Sequence, residues 1–567
     1  MFGIKKITKS RCGKKNMFIK MKNLTAYFLK SEKLMFGLFL LCGGLLSIIL
    51  KFDVLWDFAN YHYYNPWAFV NDRVGYDIVV AGVNGFFNPL MDLPLYYLIT
   101  YFNDYPNFIY FMQGLWSGLL AFLLYKTALL FFDLNDREGR FALLAVILLG
   151  MTGYAVFFQI GTCTNEIQVG CLIVFSVWLL LREIFVLSKE RPFVFFVAGL
   201  SAGMAFGLKL TAVIYALPLG ITLIVFMRSL SRPLSSVLLF TLGGFLGFAA
   251  MDGFWIWKMW QMYDNPFFPY LNKLFRSRYF EIRNYIDERF LPGSLMEYLF
   301  LPLYWFFNPH RPDGNVVVID FRWGILFLFG LAALIKYFAV KDKIDKKTVF
   351  LSTFMLLSYI AWISLFTIKR YMVPLEIGSA ILIVKSVLYL RPQSRRAKDF
   401  YWQLVAALCF LAALTPLFSQ KWGCRNCNLD RHMFKQFVAV DGVKLPENTL
   451  LMFYNYPSAA LLPYFHRETS NIRGVSVKQK NYVVENGEED MFNANPEWLR
   501  QKKEIIEKHQ GLKVGVIAVE KVDAVKKMLN KEPYLKGMYC WFRRSNIIPG
   551  FYFCVRPDQE KEIFING

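Results

Sequence analysis

Apolar residues run in long blocks along this chain, separated by short polar turns. The blocks lie at roughly Leu34–Leu50, Phe108–Phe132, Phe141–Ile160, Ile167–Leu181, Phe193–Leu208, Leu210–Phe226, Leu234–Trp257, Trp323–Ala339, Val349–Phe366, Tyr371–Leu390 and Tyr401–Phe418. Each is near the ~20 residues that a helix needs to cross a bilayer. The pattern therefore predicts an all-α polytopic membrane bundle of about eleven transmembrane helices. One further stretch, Phe86–Tyr101, is apolar but broken by Pro89 and Pro94. It reads as re-entrant or interfacial, since non-helical backbone at membrane depth needs protein or water to satisfy it.

Charge supports this count. The formal net charge is +22, but the cations are distributed as membrane topology requires, so nucleic acid is not the partner they indicate. The N-terminus is basic, and so are DLNDREGR with Lys126, the turn with Arg182, Lys189 and Arg191, the turn with Arg228 and Arg232, KDKIDKK and RPQSRRAKD. Eleven spans place all of these on one side, the cytoplasm. Residues 1–33 become a basic cytoplasmic segment and 34–418 the membrane domain. Outer loops are expected at about 51–107 and 258–322. The first span is followed by no small-x-small cleavage site and reads as an uncleaved anchor. Glycines four apart, Gly199/Gly203/Gly207 and Gly243/Gly247, predict close helix contacts in lipid.

After about Gln420 the chain turns polar. TLLMFYN and KVGVIAVE read as buried strands, and NPEWLRQKKEIIEKH and EKVDAVKKML as helices flanking the second. Residues 419–567 are thus expected to form a small α/β domain outside the membrane. Cys540 and Cys554 flank a hairpin-like stretch and are expected to pair, as an oxidising exterior favours. Cys424 and Cys427 form a single CxxC, read as a local disulfide in preference to a zinc or redox site. Cys12, Cys42, Cys163, Cys171 and Cys409 are expected to stay unpaired.

The candidate chemistry sits at the outer ends of the spans. FDVLWDFANYHYYNPWAF follows the first span. On an α-helix its Asp53, Asp57, Asn60, Tyr61 and Tyr64 share one face. Acids at a membrane surface facing a bundle point to chemistry or transport, and a carboxylate there can take the proton of an attacking hydroxyl. His62 can assist, or can be one more aromatic of an interfacial belt. In QIGTCTNEI, Asn165 and Glu166 face the same vestibule, and either can bind a sugar hydroxyl; Glu166 can instead cap its helix. Lys209 in GLKLT, and Lys369 and Arg370 in TIKRY, are outer cations against the positive-inside trend. Anionic phosphate is one reason for them, and snorkelling to headgroups is the other. Asp252, Lys258 and Asp264 begin an aromatic, basic outer segment that Asp320 and Arg322 end.

The runs WDFANYHYYNPWAF, FFNPLMDLPLYYL, GLKLT, YDNPFFPYLNKLFRS and KRYMVPLE resemble the GT-C glycosyltransferases, in particular the polyprenyl-phosphate-sugar-dependent mannosyl- and arabinosyltransferase-like group. The resemblance covers about Leu34 to Leu390. It implies a bacterial inner-membrane enzyme that takes a sugar from a polyprenyl-phosphate donor at the outer face. The acceptor would be a hydroxyl of a glycan, lipid or protein. By position in the first outer loop, Asp57 would be the base, with Asp53 in reserve. Lys209 and Arg370 would hold the donor phosphate. Beside what the resemblance implies, Lys369, Asn60, His62 and Glu166 are expected from their positions as further substrate contacts. Some members bind a divalent metal through a DxD pair; Asp53 and Asp57 are four apart, so no cofactor is indicated. The competing readings are a polymerase of lipid-linked glycan, or a flippase or transporter. The latter predicts internal repeats and charges deep in several helices, and neither stands out.

Overall fold

The computed structural model describes residues 31–559, apart from 52–55, 286, 311–316, 342, 393, 420–434, 456, 468, 470, 479–494, 519–521 and 549. Asp53, Cys12, Cys424 and Cys427 lie outside the described residues. Helices occupy each of the eleven expected spans: α1 (Glu32–Leu50), α2 (Pro106–Ala128), α3 (Arg137–Met151), α4 (Glu166–Phe185), α5 (Pro192–Leu208), α6 (Val213–Val225), α7 (Pro233–Tyr263), α8 (Arg322–Val340), α9 (Lys346–Leu365), α10 (Val373–Leu390) and α11 (Arg395–Ala413). Among the described residues, eight apolar helices are long enough to cross a membrane by length and composition. The helices α3, α5 and α6 are shorter, at 15, 17 and 13 residues. The protein is a multi-pass membrane protein.

Several spans differ from their expected limits, and two of the differences have a clear physical cause. The stretch Phe141–Ile160 is not one helix: α3 stops at Met151, and a short helix, Tyr154–Phe157, follows Gly153. The break is held by charged side chains from two other helices. Arg322 donates to the carbonyls of Leu149 and Thr152 at 2.7 and 2.9 Å, and Glu376 accepts the Ala155 and Val156 N–H groups at 3.1 and 3.0 Å. These replace helical hydrogen bonds that the break removes. The helix α7 runs past Trp257 to Tyr263, because Lys258, Trp260 and Gln261 lower its hydropathy without interrupting the helix.

The glycine pairs meet as expected, between α5 and α7. A Cβ on Gly203 would lie 1.9 Å from the Gly244 carbonyl oxygen, and one on Gly243 would lie 2.1 Å from that of Phe196. Only glycine allows this backbone approach. The Pro-broken stretch becomes 3-10 turns at Gly82–Phe86 and Leu90–Asp92, then a ten-residue helix, Leu93–Phe102. At 1.5 Å per residue that helix is about half the length of a crossing.

The C-terminal unit carries a five-stranded sheet of order β2-β1-β3-β5-β4. Its strands are β1 (Thr449–Tyr454), β2 (Ile472–Lys478), β3 (Lys513–Ile517), β4 (Tyr539–Arg543) and β5 (Phe551–Val555). The strands β2, β1 and β3 are parallel, and β5 and β4 form the antiparallel hairpin expected between the two cysteines. Cys540 and Cys554 stand opposite each other and are disulfide-bonded. Helices Pro496–Lys508 and Val522–Lys531 flank β3 in sequence. The sheet does not stand apart from the bundle. Ile78 pairs with the β2 edge through Ile78 N–H to Gly474 O and Ser476 N–H to Ile78 O, both 3.0 Å. The N–H of Ala460 donates to Ala59 O at 3.0 Å. The loop after α1 is therefore fixed to the C-terminal unit from one side and to the bundle from the other.

Candidate functional site

The segment after α1 does not continue as the expected α-helix. Asp57 leads into a π-helical turn, Phe58–His62, and an α-helix resumes at Tyr64–Val70. A π turn widens the backbone by one residue, so the α-helical face assigned to Asp57, Asn60, Tyr61 and Tyr64 is broken. Asn60 donates to Ala81 O at 3.2 Å. Tyr61 stays beside Asp57: its hydroxyl is pushed well above the usual tyrosine range by burial, then by the Asp57 charge. Tyr64 faces Asp77, whose carboxylate is ion-paired with Arg73 at 2.7 Å.

Arg370 brings the ends of several helices together. It lies in the 3-10 turn Lys369–Met372 that opens α10. Its guanidinium ion-pairs with Asp57 and lies 3.7 Å from Glu166. Glu166 is the first residue of α4 and also ion-pairs with Lys209 at 2.6 Å. Lys209 can reach it because α5 ends there in extended backbone, with φ −149° and ψ 110°. Tyr371 lies beneath both cations, its ring centre 5.5 Å from the Lys209 ammonium and 5.4 Å from the Arg370 guanidinium. Gln159 donates to Arg370 O at 2.9 Å and fixes the turn. The array thus holds two carboxylates and two cations. The carboxylates are the deeper pair: the side chains of Asp57 and Glu166 are 4% and 5% exposed, against 16% and 20% for Arg370 and Lys209. An anion approaching from solvent meets the cations first.

Two further clusters adjoin this one. In the first, Asp92 Oδ1 pairs with His62 Nδ1 at 2.8 Å and accepts from Asn165 Nδ2 at 2.7 Å. Asp92 was not anticipated as a site residue, although an acid between Pro89 and Pro94 in an apolar stretch is itself a signal. In the second, Lys369 turns away from Arg370 and is 1% exposed. It ion-pairs with Asp320 at 3.1 Å and Glu376 at 3.7 Å, while Arg322 donates to Asp320 at 2.6 Å. The Lys369 ammonium sits 4.5 and 4.8 Å from the ring centres of Trp305 and Trp323. Burial alone would raise the Asp320 carboxyl, but Arg322 and Lys369 outweigh it and hold it below its ordinary value. Lys369 is thus placed in a buried ion cluster that braces α3, α8 and α10. Asp252 is likewise inside the protein, bonded to Asn88 at 2.8 Å.

Among the described residues, no three His, Cys, Asp or Glu side chains are gathered as a metal ion would need. No family model and no curated protein matches the chain. Solved structures do, among them two of one protein. The crystal structure of ArnT from Cupriavidus metallidurans bound to undecaprenyl phosphate superposes with a TM-score of 0.53 at 14% identity, covering 91% of this chain and 97% of that one. The apo structure of the same protein gives 0.50 at 12% identity over the same shares. At this identity the likeness speaks for the fold, and it extends through the helices and the C-terminal unit alike: the chain has the fold of ArnT, a polytopic helical bundle carrying a C-terminal α/β domain.

Proposed function

We propose that this protein is a glycosyltransferase that moves a sugar from a polyprenyl-phosphate donor to an acceptor hydroxyl, with Asp57 as general base. The observation that carries the reading is the array of Asp57, Arg370, Glu166 and Lys209, with its cations outermost. ArnT, which shares the fold, is described bound to undecaprenyl phosphate.

The charge balance suits the reaction. The donor phosphodiester carries one negative charge, and the array is formally neutral. As the acceptor oxygen attacks the anomeric carbon, its proton passes to Asp57. The bond from that carbon to the phosphate oxygen breaks, and its electron pair leaves with the phosphate. The phosphate gains one negative charge while the array loses one, so Arg370 and Lys209 stabilise the leaving group as its charge develops. Arg370 serves both partners: its planar guanidinium can leave Asp57 for phosphate oxygens, freeing the carboxylate to act as base. Lys369 has no part in this, because its partners are Asp320 and Glu376. The site would lie on the outer face of a bacterial inner membrane, with the N-terminus cytoplasmic and the C-terminal unit outside. The acceptor would be a glycan, lipid or protein.

Binding of undecaprenyl phosphate to the purified protein tests the donor half. Arg370→Gln and Lys209→Gln should each weaken it about tenfold or more, the loss of one charge-assisted contact. Equal binding by wild type and both variants would remove the array as the phosphate site.

A further inference from the structure

The cluster beside the phosphate array carries an unused acceptor. A carboxylate only accepts hydrogen bonds, so the contact between His62 Nδ1 and Asp92 places the ring hydrogen on Nδ1. Asn165 donates to the same Asp92 oxygen at 2.7 Å and fixes the carboxylate. In the neutral ring Nε2 is then a bare lone pair. His62 is 2% exposed, and its Nε2 has no hydrogen-bond partner among the described residues. Two neighbours share this condition. Asn60 Oδ1, on the same π turn, and Glu166 Oε2, next to Asn165 in sequence, are also buried acceptors without a partner. Leaving such groups unsatisfied forfeits the hydrogen bonds they make in water. A buried acceptor beside a phosphate site suits a ligand that brings hydrogen-bond donors, and a sugar hydroxyl is such a donor. Asn165 and Glu166 are consecutive, and Tyr61, whose ring centre lies 4.1 Å from that of His62, is buried beside Asp57, Arg370 and Glu166, so the Asp92 cluster adjoins the phosphate cations.

We infer that His62 Nε2 accepts a hydrogen bond from a hydroxyl of the sugar carried on the donor phosphate. Asp92 and Asn165 are positioning residues that hold the imidazole in the tautomer this needs. The inference rests on the donor reading above and adds to it how the sugar itself is recognised.

The test compares two ligands on one protein. Binding to the purified full chain is measured for bare undecaprenyl phosphate and for undecaprenyl phosphate carrying glucose, mannose, galactose or arabinose. At least one sugar-bearing lipid should bind the wild type more tightly than the bare lipid. His62→Phe should reduce that preference about tenfold, the loss of one buried hydrogen bond. Asp92→Asn should do the same, and the double variant should be no worse than either single one. His62→Gln, whose amide reaches the place of Nε2, should keep part of the preference. A general loss of packing would weaken both ligands alike and leave their ratio unchanged, so an unaltered ratio in His62→Phe overturns the inference. So does a wild type that binds the bare lipid and prefers none of the sugars. Failure of the wild type to bind even the bare lipid would instead overturn the donor reading, and this inference with it.

Discussion

Lys369 and Arg370 are adjacent cations with opposite surroundings, and replacing the first isolates a structural effect from a chemical one. The Lys369 ammonium is buried against Asp320, Glu376, Trp305 and Trp323. The substitution Lys369→Met keeps most of the length of the side chain, so little of the cost is a cavity. What remains is two buried carboxylates facing one guanidinium, that of Arg322. Removing one partner of a buried ion pair costs about 3–5 kcal/mol. The effect should spread to the α3 break, because Arg322 and Glu376 also hold its backbone groups. Adding Glu376→Gln restores the charge balance and keeps one oxygen for the Ala155 and Val156 N–H groups. The double variant should recover about 1–3 kcal/mol, the part of the cost due to the unpaired charge. Denaturation in detergent micelles, followed by tryptophan fluorescence, should rank wild type above the double variant and the double above Lys369→Met. Protein of the single variant that remains folded should still bind undecaprenyl phosphate. An unchanged midpoint for Lys369→Met would refute the cluster as a brace, and lost lipid binding by the folded protein would return Lys369 to the site.

Other expectations follow from the same geometry. Arg370→Lys keeps the charge but loses the fork that meets Asp57 and Glu166 together, so kcat/KM for sugar transfer should fall about 10- to 100-fold, measured with a saturating acceptor. The folded-state pKa of Asp320 is depressed, so its contribution to stability is present above the ordinary aspartate range and is lost as pH falls through the folded value; Asp320→Asn should flatten the acid limb of a stability–pH curve. The Cys540–Cys554 disulfide closes a loop of 14 residues, and Cys540→Ser with Cys554→Ser should cost about 3 kcal/mol by chain denaturation. That loss should be matched by reducing the wild type.

The membrane bundle was legible because long apolar runs and one-sided basic turns constrain the backbone strongly, and the spacing of Gly199, Gly203, Gly243 and Gly247 marked the α5–α7 contact. The α3 break was not, since its partners Arg322 and Glu376 lie more than 150 residues away and nothing local announces them. The π turn at Phe58–His62 escaped for a related reason: its residues fit an α-helical face, and the departure is tied to docking, with Ala59 bonded to Ala460 of the C-terminal unit. The strand β2 was missed because Gly474 and the short alternation around it give a weak signal, strengthened only by the β1 and Ile78 partners on either side. Asp57, Glu166, Lys209 and Arg370 stood out as charges at span ends, and the structure gathers them; Lys369 stood out equally, and only packing separates it from Arg370.

Sugar transfer by Asp57→Asn tests the central claim most directly. Membranes holding matched amounts of wild type or variant would be offered labelled polyprenyl-phosphate sugars. The account predicts transfer by the wild type and its loss, by about 100-fold or more, in a variant that still binds undecaprenyl phosphate. Equal transfer by both proteins would contradict it.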